Sequence, residues 1–282
     1  MSRAQLAERS ILKKFNKPIW SRFIKGMKEY KMISEGDRIA VCISGGKDSM
    51  LMAKCIQHLQ KYSEIPFEAR YIVMDPGYNP VNRQKIIDNA SALEIPVEIF
   101  ESSIFDAVAD IEKNPCYLCA RMRRGYLYSR AEALGCNKIA LGHHFDDVIE
   151  TILMGVIYGA QFQTMMPKLH SSNFTGMELI RPLYMVREAD IIAWARYNGL
   201  EFLQCACRFT EKCAEGDGVG ISKRQEIKEL LKKLRADNPL IDMNIFRSAE
   251  NVNLETVISY HKGEEYHSFL DDYEDRKSRN KN

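Results

Sequence analysis

Residues 40–49 read Ala-Val-Cys-Ile-Ser-Gly-Gly-Lys-Asp-Ser, an apolar run leading into paired glycines, a lysine and an aspartate between two serines. These are the parts of a phosphate cradle. A strand over 38–43 would end at Ser44, and Gly45 and Gly46 would let the backbone turn with no Cβ in the way of an anion. A helix starting near Asp48 or Ser49 would aim free N–H groups and the positive end of its dipole at that anion. Lys47 adds a mobile positive charge, and Ser44 and Ser49 add hydroxyls. The spacing is not the Walker form, which places four residues between its glycines and ends Gly-Lys-Ser/Thr.

A second group with chemistry in it is the cysteines. Cys116-Tyr-Leu-Cys119 is answered far downstream by Cys205, Cys207 and Cys213. Two pairs of thiolates suit tetrahedral zinc in a closed structural site. Three suit an iron–sulfur cluster with one iron open to an outside ligand. Spacing alone leaves both readings open. Cys116 follows Pro115 at an expected helix start, where the dipole lowers a thiol pKa. Cys42, Cys55 and Cys136 stand in apolar surroundings and read as core. The N-terminus lacks the apolar stretch of a signal peptide, and no apolar run is long enough to span a bilayer. The expected setting is therefore the reducing cytoplasm, with no membrane partner.

Strand-like runs at 38–43, 68–74, 97–100 and 138–142 alternate with helical patterns at 49–62, 79–94, 117–134 and 146–158. That alternation predicts an α/β fold with a parallel sheet covered on both faces. Ligands in such sheets bind beyond the carboxyl ends of the strands. The loop after Ile43, Met74-Asp75 and Gly142-His143-His144 should thus surround one pocket. A short strand at 179–182 and helices at 187–198 and 221–236 follow. The expected division is a basic N-terminal helical segment (1–34), a nucleotide-binding domain (35–200), a cysteine-containing helical extension (201–270) and a frayed tail (271–282).

The net charge of +2 is uninformative, but its distribution is not. Arg3, Arg9, Lys13, Lys14, Lys17, Arg22, Lys25, Lys28 and Lys31 face only Glu8 and Glu29 before residue 34, interleaved with apolar residues at helical spacing. The segment is either a contact for a polyanion such as RNA or a solvated helix docked on the core.

The Ser44–Ser49 loop resembles the Ser-Gly-Gly-x-Asp-Ser loop of the PP-loop ATP pyrophosphatases. The wider chain resembles the TtcA-type tRNA 2-thiocytidine sulfurtransferases within that superfamily. The resemblance rests on Glu35-Gly-Asp-Arg-Ile, Cys116-x-x-Cys119-x-Arg121-x-Arg-Arg-Gly125, Lys138-Ile-Ala-Leu-Gly-His-His-x-Asp-Asp147, Met166-Pro-Lys-Leu169, Ile180-Arg-Pro-Leu183 and Arg187-Glu-x-Asp-Ile191. Together these stretches span about residues 30–210. Two departures stand out. Gln204-Cys205-Ala206-Cys207 replaces the family's Pro-Cys-x-x-Cys, and Phe145 stands where the family has arginine after its two histidines.

The resemblance implies an ATP-dependent tRNA sulfurtransferase that adenylates C2 of cytidine 32 and replaces the oxygen with sulfur through a [4Fe-4S] cluster, releasing AMP and pyrophosphate. It implies ATP and Mg2+ on Ser44, Gly45, Gly46, Lys47, Asp48, Ser49, Met74, Asp75, Gly142, His143 and Asp147. Lys47, Asp48 and Asp146 would be catalytic. Cys116, Cys119 and either Cys205 or Cys207 would hold the cluster, with tRNA, a sulfur donor (cysteine desulfurase or sulfide) and a second copy of the chain as partners. Arg121, Arg123, Arg124, Lys168 and Arg181 are candidate contacts for RNA or ATP phosphate. His143 and His144 either transfer protons or build the turn. Two other readings stand beside this one: an adenylating amide ligase with structural zinc, and an ATP- and RNA-binding redox sensor.

Overall fold

The structure, a computed structural model, describes residues 1–102, 104, 115–203, 222–271 and 273, and within 115–120 only the Leu118 side chain. Six strands form the main sheet: β1 (Arg38–Ile43), β2 (Glu68–Asp75), β3 (Val97–Glu101), β4 (Lys138–Ala140), β5 (Lys168–His170) and β6 (Glu178–Ile180). Their order is β3-β2-β1-β4-β6-β5, and every pairing is parallel except the edge pair β5 and β6. The run Ile39-Ala-Val-Cys-Ile43 is buried at every position, as a strand covered on both faces must be. The intervening helices are α3 (Lys47–Tyr62), α4 (Pro80–Ala92), α5 (Pro115–Ala133), α6 (Phe145–Gly159) and α7 (Glu188–Tyr197). From β1 the chain goes to β2 and β3 on one side and then returns to β4 on the other. The loops after β1 and β4 therefore part at a switch point and leave a crevice.

The expected parallel α/β architecture is present, with local differences. Helix α3 begins at Lys47, directly after Gly46, and not at Asp48 or Ser49. Strand β4 stops at Ala140; the Leu141 N–H gives one last bond to the Ile180 carbonyl across the sheet, and the chain then leaves it. Strand β5 was not expected; three residues are too few to show a period.

The N-terminal segment is three pieces: α1 (Arg3–Leu12), a π-helical turn over Asn16–Trp20, and α2 (Ser21–Glu29). Pro18 has no N–H to give an α-helical ladder, which is where the helix is interrupted. Ile11, Phe15, Ile19, Phe23 and Met27 join the same core as Met50 and Leu51 of α3. Lys13, Lys14, Lys17, Lys25 and Lys28 remain exposed. Docking and a free basic face thus coexist in one segment.

Beyond α7 come α8 (Lys223–Asp237) and α9 (Ile241–Ser248), both packed on α6, and a hairpin of β7 (Ser259–Lys262) and β8 (Glu265–Ser268). Ile227, Leu231 and Phe246 place α8 and α9 in the main core. Helix α9 and the hairpin were not foreseen in an extension read as helical. Apart from 271 and 273, the tail expected to fray lies outside the described residues. No described helix is long and apolar enough to cross a membrane.

Candidate functional site

The turn after β1 is built around Gly45, whose φ of +84° is a left-handed value. A Cβ there would stand 2.6 Å from Ile86 Cγ1, so only glycine fits. Gly46 is the N-cap of α3 and has no side chain to cap it, so the first-turn amides keep their affinity for an anion. Ser49 ties the turn internally: its Oγ accepts from the Ser44 N–H at 3.2 Å and donates to the Gly46 carbonyl at 3.0 Å. Gly142, in the loop after β4, lies against this turn; a Cβ there would be 3.1 Å from Ser49 N.

The Lys47 ammonium donates to Asp48 Oδ2 at 3.2 Å and to Glu188 Oε1 at 2.9 Å. Burial works against its charge, but the Asp48 and Glu188 carboxylates outweigh burial and raise its pKa. Burial pushes the Asp48 carboxyl up, partly offset by His144 and Lys47. Asp48 Oδ1 is buried with no hydrogen-bond partner. For Glu188, burial is outweighed by the Lys47 hydrogen bond and charge, which hold its carboxyl below the usual range.

The two histidines are placed differently. His144 caps α6: its Nδ1 accepts from the Asp147 N–H, while Asp147 Oδ2 accepts from the His144 N–H at 3.0 Å. With Nδ1 an acceptor, the network assigns a proton to Nε2, which faces Asp48 Oδ1 at 3.8 Å and Glu188 Oε1 at 3.9 Å. His143 is held neutral, its pKa brought down to about 4 by burial and then by Arg181. Its Nδ1 has no hydrogen-bond partner.

Ser44, Gly46, Lys47 and Asp48 line a cavity of about 1050 Å³. Tyr78, Val81, Asn82 and Lys85 from the α4 side, Arg123 from α5, Glu188, Ile192, Ala195 and Arg196 from α7, and Leu200 to Leu203 complete the wall. The volume suits a nucleotide with room for a second ring. Other expected residues are placed elsewhere. Met74 is buried at the end of β2. Asp75 Oδ1 accepts from the N–H groups of Gly77 and Tyr78, and its Oδ2 meets Arg83 at 3.2 Å, so the carboxylate builds a turn beside the cavity. Asp146 is occupied by the Glu188 N–H at 2.7 Å and Arg235 at 2.8 Å. Asp147 pairs with Arg224 at 2.7 Å. Lys168 is bound to Glu178 and the Lys31 carbonyl, and Arg181 to the Met166 carbonyl, so both hold loops. Arg121 and Arg124 are exposed on α5.

Backbone positions put Cys116 and Cys119 in the first turns of α5, seven and four residues before Arg123. Such spacings share a helix face, and Arg123 Nη2 donates to the Tyr78 hydroxyl at 3.4 Å on the cavity wall. Cys205, Cys207 and Cys213 lie outside the described residues. The chain enters them from Leu203, whose N–H donates to the Gly45 carbonyl at 3.3 Å. A soft all-thiolate donor set suits iron–sulfur or zinc; among the described residues no group of three His, Cys, Asp or Glu is arranged to hold a metal. Cys42, Cys55 and Cys136 are free and buried as expected, with burial pushing the Cys42 thiol up to about 12. Sequence reasoning passed over Glu188, Arg224, Lys228 and Arg235 as site residues. Only Glu188 left a signal, as the acidic residue opening a helix just past an expected strand.

A PP-loop domain family model matches residues 13–207. The chain is 34% identical to the tRNA-cytidine(32) 2-sulfurtransferase of Citrifermentans bemidjiense over 83% of its length and 90% of that protein's. It is 36% identical to the enzyme of that name from Geotalea uraniireducens over 83% and 91% of the two chains. For the Coxiella burnetii enzyme of the same name the identity is 35% over 81% and 87%. Among solved structures, the U34-tRNA thiolase NcsA of Methanococcus maripaludis, determined with its [4Fe-4S] cluster, superposes with a TM-score of 0.64 at 22% identity, over 82% of this chain and 76% of that one. That likeness speaks to the fold.

Proposed function

We infer the activity from one premise: the chain belongs to the tRNA-cytidine(32) 2-sulfurtransferase family of PP-loop proteins. It is an ATP-dependent tRNA thiolation enzyme. The observation that carries this reading to residues is the uncapped start of α3, with Gly45 and Lys47 beside it, opening on the cavity. We assign the triphosphate to Ser44–Ser49, the target to C2 of cytidine 32, and the setting to the cytoplasm.

A carbonyl oxygen is a poor leaving group. Attack of the C2 oxygen on the α-phosphorus of ATP forms a C2–O–AMP bond and breaks the bond to pyrophosphate. Sulfide then adds at C2, the C2–O bond breaks, and AMP leaves with the oxygen, so atoms balance. Lys47 and the α3 amides stabilise charge developing on pyrophosphate. Mg2+ is assigned beside the unpartnered Asp48 Oδ1. His143, neutral, adds no positive charge; His144 keeps the turn rigid and aims Nε2 at Asp48. Asp146 acts at one remove, through the backbone of Glu188. The apolar wall of Val81, Ile192, Leu200 and Phe202 offers a seat for a planar base with water excluded.

Cys116, Cys119 and Cys205 or Cys207 are assigned to the cluster, which when bound supplies a thiophilic iron able to carry sulfide. A cysteine desulfurase or free sulfide would be its source, and the enzyme would work as a homodimer. The exposed lysines of the first 31 residues would meet tRNA phosphates without reading sequence.

The test is anaerobic purification, followed by incubation with tRNA, ATP, Mg2+ and sulfide and nucleoside mass analysis. One AMP and one pyrophosphate per 2-thiocytidine, lost with Cys116→Ser together with the bound iron, is the expected result. Thiolation that persists on a zinc-loaded, iron-free chain would exclude the cluster.

A further inference from the structure

Lys47 carries its charge on a flexible four-carbon stem, so something must decide where the ammonium stands. Asp48 offers one contact from the same helix turn. The other comes from Glu188, first residue of α7, at 2.9 Å. Glu188 is itself held through its backbone: its N–H donates to Asp146 Oδ2, and Asp146 Oδ1 accepts from Arg235 of α8. Its second oxygen faces Lys228 of α8 at 3.6 Å. The carboxylate is 27% exposed and lines the cavity beside Lys47 and Asp48. A chain of contacts therefore runs from α8 through Asp146 and Glu188 to the nucleotide loop.

We propose that Glu188 is the positioning residue of this loop: it sets where the Lys47 ammonium stands and, by its negative charge, limits how tightly the triphosphate is held before reaction. This rests on the reading that Lys47 meets the triphosphate. Lys228 offsets part of the charge at 3.6 Å, yet both carboxylates beside Lys47 lower the pull of its ammonium on an incoming polyanion. Removing one of them strengthens ground-state binding, while an ammonium without its anchor stabilises the transition state less. Tighter binding with slower turnover is the signature of an interaction that serves the transition state and not the ground state.

The experiment compares full-length wild type, Glu188→Gln and Glu188→Asp. It measures affinity for a non-hydrolysable ATP analogue by calorimetry, kcat and KM for tRNA-dependent pyrophosphate release, and thermal unfolding. Glu188→Gln keeps the shape and the backbone N–H. It is expected to bind the analogue about three- to tenfold tighter and to turn over about tenfold more slowly or worse. Glu188→Asp keeps the charge on a shorter arm, so it binds as wild type does and recovers part of the turnover. Binding and turnover that weaken together, alongside a lower unfolding temperature, would reduce Glu188 to a structural residue and overturn the proposal. Unchanged affinity and turnover in Glu188→Gln would overturn it too, leaving the nucleotide reading intact. Wild type that fails to bind the analogue would remove that reading and this role with it.

Discussion

The sheet carries a lysine flanked by two carboxylates at each end, and the two clusters could hardly differ more. At the amino ends of the strands, Lys138 is 4% exposed and meets Asp37 at 2.7 Å, Glu178 at 3.0 Å and the Met32 carbonyl at 3.0 Å. Asp37 also accepts from Asn137 and from the Ser34 N–H. At the carboxyl ends, Lys47 is 26% exposed, faces a cavity, and has beside it an Asp48 oxygen with no hydrogen-bond partner. The same side-chain types form a completed bolt in one place and an unfinished site in the other. Buried ions that are fully paired hold structure; ions left incompletely paired beside a cavity are available to a ligand.

Breaking the completed cluster should have the largest effect. Lys138→Met leaves Asp37 buried without a cation and Glu178 with Lys168 at 3.2 Å, a loss of about 3–5 kcal/mol. Chemical denaturation measures it, and the specific activity of the protein that still folds should be near wild type. Lys47→Met should do the reverse. It is expected to change unfolding free energy by less than about 1 kcal/mol and to lower kcat for pyrophosphate release by about 10²–10³. If Lys47→Met unfolds the protein and Lys138→Met abolishes turnover in a stable fold, the comparison is wrong.

A smaller effect sharpens the picture at the open end. A Cβ at Gly142 would stand 3.1–3.2 Å from backbone atoms of Asp48 and Ser49, which cannot swing aside as a side-chain tip would. Gly142→Ala is therefore expected to displace the first turn of α3 at an overpacking cost of about 1–3 kcal/mol. Calorimetry should show it as weaker binding of the ATP analogue, together with a melting temperature lowered by a few degrees. Gly36, whose Cβ would meet nothing within 4 Å, is a poorer control because its φ of +78° is left-handed. Gly125, with open space and no such φ, is the better one.

What the sequence revealed follows from range. The loop Ser44–Ser49, the parallel order of strands and helices, and the core role of Cys42, Cys55 and Cys136 are written in contiguous residues with a strong period. The bolt was not legible, because Asp37, Lys138 and Glu178 are far apart in the chain and meet only through the register of β1, β4 and β6. The pairing of Glu188 with Lys47 stayed hidden for the same reason: 141 residues separate them. Asp146 and Asp147, expected as a catalytic and a nucleotide-binding residue, have partners that their adjacency did not reveal: the helix turns them about 100° apart, one toward Glu188 and Arg235, the other toward His144 and Arg224.

Acid should separate the two clusters by the pH at which each begins to fail. Burial raises the carboxyls of Asp37 and Glu178, but their hydrogen bonds and Lys138 outweigh it and hold both below their ordinary values of 3.8 and 4.5. A carboxyl depressed in the fold contributes stability that is present above its unfolded value and is lost as pH falls through the folded one. The bolt thus stays intact down to about pH 4.5 and weakens below it. At the open end, His143 is depressed from 6.5 to about 4, by burial first and Arg181 second. Its neutral form is the one the fold accepts, so its contribution is complete above pH 6.5 and drains away as pH falls toward 4. The expected size is about 1 kcal/mol, less than the full shift would imply, since a protonated imidazole that is only partly buried can draw in water. Denaturation midpoints for wild type and His143→Gln between pH 7 and 4 measure it. The variant should lose the slope in that window and keep the steeper loss below it, whereas Lys138→Met should lose the lower one. A wild type flat down to pH 4.5 would mean that His143 takes up its proton without strain, and the open end would then be better hydrated than its geometry implies.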